Sequence, residues 1–426
     1  MSSSGEPSEP EQAPGHELSI AIVGANACAL TTALACDYAG FRDLSIYTDS
    51  DTDPDTVSDR QDRSEMATQS VEISPNASRI LRTLKTLEVL QPASVEPQFI
   101  HQRSYRTGFQ LSIQALGAMA EGRYNAPFFH IDNRILCEAL AGIAEARGIK
   151  RVHSRLTQLS QRDNKVCVTS LAGKQSYDVL IVAADTDHRL RTLANAEPLV
   201  SHPSAYTHWH STIDTQRLPP GAFGPVITQW LGPHHHLHYH FGTLQETGDQ
   251  QLRVSAITRS EEPYAESSSE GARHLKNAFA NWHPSLSALI DSAAQWKSAA
   301  VLENSSPERL AHGQILFLAS SCHPVLPHLP QQTALGIEDA WVAARMLEQW
   351  EEEPASGWIE YEKYRLPRAR RMQAQAIERA RLLCEPAQGR AFWRNLELSL
   401  SSRFLPELAM QKNDWLYGYD AVNGFE

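Results

Sequence analysis

The stretch that decides the fold is LSIAIVGANACALTTALACDYAGFRDLSIY, residues 18–47. It opens with an apolar run that has the length of a buried strand and ends at Gly24. Residues 25–40 are rich in Ala, Leu and Thr, as a buried helix is, and a second apolar run follows at Leu44–Tyr47. Strand, glycine turn, helix and strand in this order predict the βαβ unit that opens a dinucleotide-binding domain.

The composition is that of a globular protein without a basic surface. The chain has 426 residues, of which 42% are hydrophobic and 21% charged, and its formal net charge is −12. This balance argues against nucleic-acid and anionic-membrane partners, because both need a basic face. No run of about 18 apolar residues occurs, so no membrane span is expected. Residues 1–17 lack the features of a secretory signal and are expected to be a disordered tail, which favours a cytoplasmic location.

Neither the cysteines nor the acidic residues predict a metal site. The cysteines are scattered without a Cys-x-x-Cys pair, which indicates free thiols in a reducing compartment. Acidic residues are dense between Thr48 and Met66, but they lack the glycine-centred spacing of a calcium loop and predict a solvated loop. The six cysteines are Cys28, Cys36, Cys137, Cys167, Cys322 and Cys384.

The rest of the chain alternates between helical and strand patterns. Helices are predicted over 74–90, 134–148, 334–352 and 360–383, and buried strands over 178–184 and 314–320. Alternation of apolar and polar residues over 200–260 predicts a half-exposed antiparallel sheet.

Histidines are concentrated in that predicted sheet. Eight of the 18 histidines fall between positions 202 and 240. Alternate residues of a strand share a face. The spacing therefore predicts two histidine faces, one of His208 and His210 and the other of His234, His236, His238 and His240.

Three interpretations of these faces are open. They are a solvated polar surface, a general acid/base centre, or a metal site for which the sequence places no third ligand. Arg253, on the next strand, is a candidate for holding an enolate or a carboxylate.

Six further segments carry a family resemblance: ISPNASRIL (73–81), APFFHI (126–131), WHPSL (282–286), HPVLP (323–327), GIEDA (336–340) and WLYGYDA (415–421). In this order they resemble the flavoprotein aromatic hydroxylases, specifically the salicylate-hydroxylase-like FAD monooxygenases. The resemblance implies an α/β fold in which a Rossmann-like FAD-binding-type domain is interleaved with an antiparallel-sheet substrate domain and followed by C-terminal helices. The implied FAD-binding-type domain is 18–95, 125–195 and 305–385. The substrate domain is 96–124 and 196–304, and the helical extension is 386–426.

The sequence departs from the family at the phosphate-binding turn. Where the family has GxGxxG, this chain reads Gly24-Ala-Asn26-Ala-Cys28-Ala29. Asn26 replaces the glycine that lets the backbone approach a pyrophosphate, and Ala29 replaces the third glycine. The acid expected at the end of the second strand is Thr48.

The departures continue at the positions implied to contact the flavin. Asn133 replaces an arginine, and Ala319-Ser320 replaces a Gly-Asp pair. A Gly-Gln-Gly turn reads Pro330-Gln-Gln332, close to Pro327, and its proline removes a backbone donor.

These departures lead to the prediction of a flavin-independent, redox-neutral enzyme that needs no cofactor. It would isomerise, cyclise or dehydrate a polyketide- or terpenoid-like intermediate, or promote a pericyclic step, by histidine acid/base catalysis and cavity preorganisation. The alternative is an FAD- and NAD(P)H-dependent monooxygenase that hydroxylates an aromatic or polyketide substrate, and a second alternative is a non-catalytic partner of another monooxygenase. The oligomeric state is left open. The predicted catalytic residues are His236, His238, His240, His210, His208 and Arg253.

Overall fold

The computed structural model describes residues 16–48, 70–184, 188–215, 226–243, 250–259, 269–305, 307–385, 387–404 and 406–424. The predicted acidic loop lies almost entirely outside the described residues. Residues 1–15 of the predicted tail also lie outside them. His16 and Glu17, by contrast, belong to the first strand.

The described strands alternate with helices along most of the chain. The strands are β1 (His16–Val23), β2 (Phe41–Thr48), β3 (Ser70–Ile73), β4 (Phe99–Ser104), β5 (Gln110–Ala115), β6 (Phe129–Asp132), β7 (Lys150–His153), β8 (Leu156–Arg162), β9 (Lys165–Ser170), β10 (Gly173–Tyr177), β11 (Val179–Val182), β12 (Ser201–Asp214), β13 (Val226–Leu231), β14 (His235–Thr243), β15 (Gln250–Arg259), β16 (Lys297–Asn304), β17 (Ala311–His312) and β18 (Ile315–Phe317). The helices are α1 (Ala27–Tyr38), α2 (Pro75–Thr83), α3 (Leu87–Leu90), α4 (Gly117–Tyr124), α5 (Asn133–Ala146), α6 (His188–Leu193), α7 (Ser269–Ala278), α8 (Pro284–Ser292), α9 (Gln332–Gln349), α10 (Pro354–Leu383), α11 (Gln388–Phe404), α12 (Pro406–Gln411) and α13 (Asp414–Tyr417).

The first sheet contains the predicted βαβ unit. Its strand order is β17-β18-β11-β1-β2-β7, and the pairs from β18 to β7 are parallel. Residues Ile20–Val23 of β1 are almost completely buried, because strands at the centre of a parallel sheet are covered on both faces. Helix α1 packs against α9 so closely that a Cβ at Gly336 would lie 3.0 Å from the Cβ of Cys28.

The second sheet carries the histidines. Its order is β16-β12-β15-β14-β13-β4-β5, and all its pairs are antiparallel except β13 with β4. One face packs on an apolar cluster that includes Trp209, Leu237 and Phe279. The parallel pair arises because β4 reaches this sheet from much earlier in the chain, which is the one departure from the antiparallel sheet that alternation predicts.

The α/β architecture is the one predicted, whereas several element ends differ. The predicted strand 314–320 stops at Phe317, because Ala319 adopts a left-handed backbone with φ +50°. The predicted helix 74–90 is interrupted after Thr83, where Lys85 has φ +58°. Within the described ranges, no helix is long and apolar enough to cross a bilayer.

Candidate cofactor site and substrate cavity

The turn after β1 brings Gly24 very close to neighbouring backbone and side-chain atoms. Gly24 has φ +142°, and a Cβ there would lie 2.9 Å from the Ala183 carbonyl oxygen and from the Ala29 Cβ. Only glycine fits this close approach. The Asn26 Oδ1 accepts a hydrogen bond from the Ala29 amide at 3.0 Å and so caps α1. The side chain predicted to crowd a pyrophosphate thus binds an amide of the first helical turn, which is the group that would otherwise face an anion.

The turn that begins at Ala319 has a backbone conformation that favours glycine, although the residue is alanine. Ala319 holds the left-handed conformation that a glycine adopts most readily, and half-buried Ser320 follows it. The Ala319 amide donates to Asp339 Oδ2 at 3.0 Å, and His323 Nε2 lies 2.9 Å from the same oxygen. Burial opposes ionisation of Asp339, but His323 and Arg365 hold its pKa below the usual range.

Two further departing positions, Thr48 and Asn133, form local contacts. The Thr48 hydroxyl lies 3.1 Å from His153 Nδ1, at the ends of the paired strands β2 and β7. Asn133 is the first residue of α5, and its Oδ1 accepts a weak bond from the Cys137 thiol at 3.8 Å. Gly24 and Ala319 thus supply the close backbone approach and the left-handed turn at which FAD would be held, while the side chains that the resemblance implies are replaced.

A cavity lies between the histidine face of β14 and the 327–330 segment that precedes α9. The histidine pattern predicted the β14 face of this cavity. It gave no sign of Glu72, His328 or Arg379, because these residues come from distant parts of the chain. Its polar lining is Ser70, Glu72, His130, Gln229, His236, His238, His240, His328 and Arg379, and its other lining residues include Ile100, Ile227, Pro327, Leu329, Pro330, Leu383 and Tyr417.

The imidazoles in this cavity form a continuous row. The rings of His130 and His240 stack with their centres 3.9 Å apart. The centres of His240 and His238 are 6.5 Å apart, those of His238 and His236 are 6.4 Å apart, and those of His236 and His328 are 5.4 Å apart. His234, in contrast, precedes β14 in a turn with φ +64° and is exposed, so its predicted place on this face is wrong.

These imidazoles are neutral at pH 7. Burial lowers the pKa of His130 to about 3 and those of His238 and His328 to about 4. Burial also lowers the pKa values of His236 and His240 well below 6.5. Neutral imidazoles donate and accept one hydrogen bond each, but groups with such low pKa values are weak bases.

Glu72 has the ionisation that acid/base chemistry at neutral pH requires. Burial raises its pKa to about 7, although the Arg379 charge and a hydrogen bond from Gln331 oppose the rise. Gln331 Nε2 donates to Glu72 Oε1 at 2.5 Å, on the cavity side of β3. The only sequence signal for Glu72 is that it directly precedes the ISPNASRIL segment.

Three predicted catalytic residues are not among the described residues that line this cavity. His208 Nε2 lies 2.7 Å from the Ser255 hydroxyl, and its ring centre is 5.9 Å from that of His210. Arg253 donates to Asp132 Oδ2 and to the Thr212 hydroxyl, each at 2.8 Å. It is thus already paired with a carboxylate of this chain.

The chain is similar over nearly its whole length to known aromatic hydroxylases. It is 26% identical over 419 residues to a 3-amino-4-hydroxybenzoate 2-monooxygenase from Streptomyces platensis, covering 96% of this chain and 97% of the relative. It is 25% identical to a 6-hydroxynicotinate 3-monooxygenase from Bordetella bronchiseptica, covering 71% of this chain and 79% of the relative. No protein-family profile matches the chain.

Solved structures give the same fold. Klebsiella pneumoniae HpxO complexed with FAD and uric acid matches with a TM-score of 0.77 and 19% identity, over 96% of this chain and 99% of HpxO. A salicylate hydroxylase substrate complex matches with a TM-score of 0.73 and 15% identity, over 95% and 96% of the two chains. The predicted α/β fold and the resemblance to the FAD-dependent aromatic hydroxylases are confirmed.

These findings overturn two predictions made from the sequence. The prediction of a flavin-independent, redox-neutral enzyme is wrong, because the full-length relatives are named monooxygenases. The prediction that no cofactor is needed is also wrong, because structures of this fold are complexed with FAD. Both predictions were drawn from replaced side chains alone, whereas Gly24 and Ala319 adopt positive φ angles of +142° and +50° that side-chain identity did not reveal.

Proposed function

We propose that this protein is an FAD- and NAD(P)H-dependent monooxygenase that hydroxylates a small aromatic acid in the cavity described above. The observation that carries the proposal is the cavity itself, which places Arg379, Glu72 and the histidine row beside the segment leading into α9. The relatives support the class of reaction, because they are monooxygenases of hydroxylated benzoates and of a hydroxynicotinate.

The residues that would hold FAD are those of the turns at Gly24 and Ala319. The glycine turn at Gly24 and the first turn of α1 would face the pyrophosphate, and the Ala319 turn with the start of α9 would face the flavin. When bound, the flavin supplies the oxygen chemistry, using electrons from the nicotinamide. We propose that the cofactor domain comprises 18–95, 125–195 and 305–385, the substrate domain 96–124 and 196–304, and the helical extension 386–426. A cytoplasmic location remains a prediction.

Arg379 is the proposed binding group for the carboxylate of the substrate. It is half-buried on α10, lines the cavity, and its Nε has no hydrogen-bond partner among the described residues. A guanidinium that is partly removed from water binds a carboxylate through charge-assisted hydrogen bonds. This contact would fix which ring carbon faces the flavin.

The remaining polar groups act on the hydroxyl of the substrate. In the proposed step the substrate O–H bond breaks and the proton passes to the Glu72 carboxylate, which leaves an electron-rich phenolate. His238 and His240, being neutral, would donate hydrogen bonds to the ring substituents and hold their orientation. The buried apolar part of the lining, including Ile227 and Leu329, would exclude water.

The test is oxidation of NADH or NADPH by the purified, FAD-loaded protein in the presence of aromatic acids. We expect bound flavin, and nicotinamide oxidation stimulated by 3-amino-4-hydroxybenzoate, 6-hydroxynicotinate or 3-hydroxybenzoate. Arg379→Met is expected to raise KM for the active acid by about 10–100-fold, which corresponds to the loss of one charge-assisted hydrogen bond. Arg370→Met, at an exposed position of α10, is the matched control. A protein that binds no flavin would refute the proposal.

A further inference from the structure

Three buried side chains from distant parts of the sequence converge at one end of the histidine row. They are His236 of β14, His328 of the segment before α9, and Cys384, which directly follows α10. One ligand atom from each lies within 4.8 Å of the others. The sheet, the segment before α9 and the end of α10 thus meet at a single point.

The nitrogen atoms at this point have unmet bonding capacity. His236 is 3% exposed, His328 is 2% exposed and Cys384 is 2% exposed. His236 Nε2 and both ring nitrogens of His328 have no hydrogen-bond partner within the described ranges. Buried polar atoms are almost always paired, so several unpaired atoms that face one another indicate a missing ligand. A single cation would bind His236 and one ring nitrogen of His328, because each of these residues offers it one ligand atom.

We propose that His236, His328 and Cys384 bind a divalent transition metal of the zinc class. Imidazole nitrogen and thiolate sulfur are the ligands that zinc prefers, and two histidines with one cysteine leave a fourth position open. His236 and His328 also line the cavity, whereas Cys384 is not among its described lining residues, so the proposed site lies at the edge of the cavity. The proposed metal site is separate from the proposed flavin chemistry, and binding of a metal there does not require bound FAD.

The distances are close to those that a metal needs. With metal–ligand bonds of about 2.0–2.3 Å, the ligand atoms around tetrahedral zinc lie about 3.3–3.8 Å apart. The observed atoms all lie within 4.8 Å of one another, so side-chain rotations that move atoms by about 1 Å complete the site.

Charge balance at the site follows from the loss of the thiol proton. On binding, the Cys384 S–H bond breaks, the proton leaves to solvent and a metal–sulfur bond forms. Burial raises the pKa of the free thiol to about 12, and the nearby charges of Arg394 and Arg259 favour the thiolate. Arg379 faces both imidazoles and disfavours a dication, so the thiolate charge is what makes the site suitable for one.

The experiment is Co²⁺ binding to the full-length protein, followed by absorption spectroscopy. Tetrahedral cobalt gives d–d bands in the red, where flavin does not absorb, and bonding to sulfur gives a charge-transfer band in the near ultraviolet. We expect one Co²⁺ per chain with both features and displacement of the cobalt by Zn²⁺. Cys384→Ser should abolish the charge-transfer band, and His328→Gln should weaken binding by more than tenfold.

Cys167→Ser is the matched control, because Cys167 lies in the β8–β9–β10 sheet and should leave the cobalt spectrum unchanged. The proposal would be overturned if the wild-type protein bound no Co²⁺, or if the charge-transfer band persisted in Cys384→Ser. Flavin content, measured on every sample, reports separately on the proposed function. A protein with FAD but without the cobalt bands would refute only the metal site.

Discussion

At the scale of single residues, Glu72 shows how burial places an ordinary carboxyl in the neutral range. Its pKa is raised from 4.5 to about 7, whereas the unfolded chain ionises at the ordinary value. Between these two values the folded protein binds more protons than the unfolded chain, so its stability falls as the pH rises. Glu72→Gln removes this loss. The stability of the variant relative to wild type should therefore be higher at pH 8 than at pH 4.

Thermal unfolding of both proteins at the two pH values measures this difference. Arg379, Tyr417, His130 and Gln331 surround Glu72 and remain in the variant. Exposed Glu88→Gln is the control, and its effect on the melting temperature should be equal at both pH values. A Glu72→Gln effect that did not change with pH would show that the carboxyl ionises normally.

Residues such as Glu72, His328 and Arg379 could not be predicted as one site from the sequence. Alternation identifies which strand residues share a face, and this placed His236, His238 and His240 together correctly. It carries no information about what packs opposite that face. The same limit explains why a third metal ligand was not found, since Cys384 becomes a neighbour of His236 only when α10 packs beside the sheet.

At the scale of elements, the start of α1 combines a glycine turn with a changed cap. Asn26 binds the Ala29 amide, so a cofactor phosphate competes with this side chain for the helix N-terminus. Asn26→Gly removes the competitor and costs the helix only a few tenths of a kcal/mol as an N-cap change. We therefore expect the variant to bind FAD more tightly than wild type does, with a nearly unchanged melting temperature.

Fluorescence titration of the flavin-free protein with FAD measures this affinity. Asn195→Gly is the control, because Asn195 is an exposed asparagine in a turn at φ +54° and should leave the affinity unchanged. Weaker FAD binding by Asn26→Gly would show instead that the amide side chain supports the cofactor. The sequence identified this position through its motif, but the cap itself depends on a side-chain rotamer that no motif specifies.

At the scale of the whole molecule, buried charged side chains connect the helices α2, α9 and α10 through hydrogen bonds. Glu338 of α9 accepts from Arg365 at 2.9 Å and from Arg368 at 2.8 Å, both on α10, and from Asn76 of α2 at 2.6 Å. Arg368 also donates to the Trp415 carbonyl at 2.7 Å. Arg365 and Arg368 belong to a basic stretch, residues 365–371, and arginines are mostly exposed in folded proteins. The fold instead buries two of its arginines against acids that come from another helix.

The buried histidines make the stability of the whole molecule sensitive to acid. Burial lowers the pKa of His130 and of His208 to about 3 and that of His210 to about 4, against 6.5 in the unfolded chain. Below pH 6.5 these histidines therefore bind protons in the unfolded chain but not in the folded protein. Each such proton lowers the free energy of unfolding by about 1.4 kcal/mol per pH unit. We expect a steep loss of stability between pH 6.5 and pH 4.5, measured by urea unfolding.

His210→Gln should make this loss shallower, because the glutamine has no proton to gain. Both ring nitrogens of His210 lack hydrogen-bond partners within the described ranges, so the change removes few contacts. His202→Gln, at an exposed position of the same strand, is the control and should keep the wild-type slope. If His210→Gln kept that slope as well, His210 would be protonated equally in the folded and unfolded states. The acid sensitivity would then originate outside this histidine.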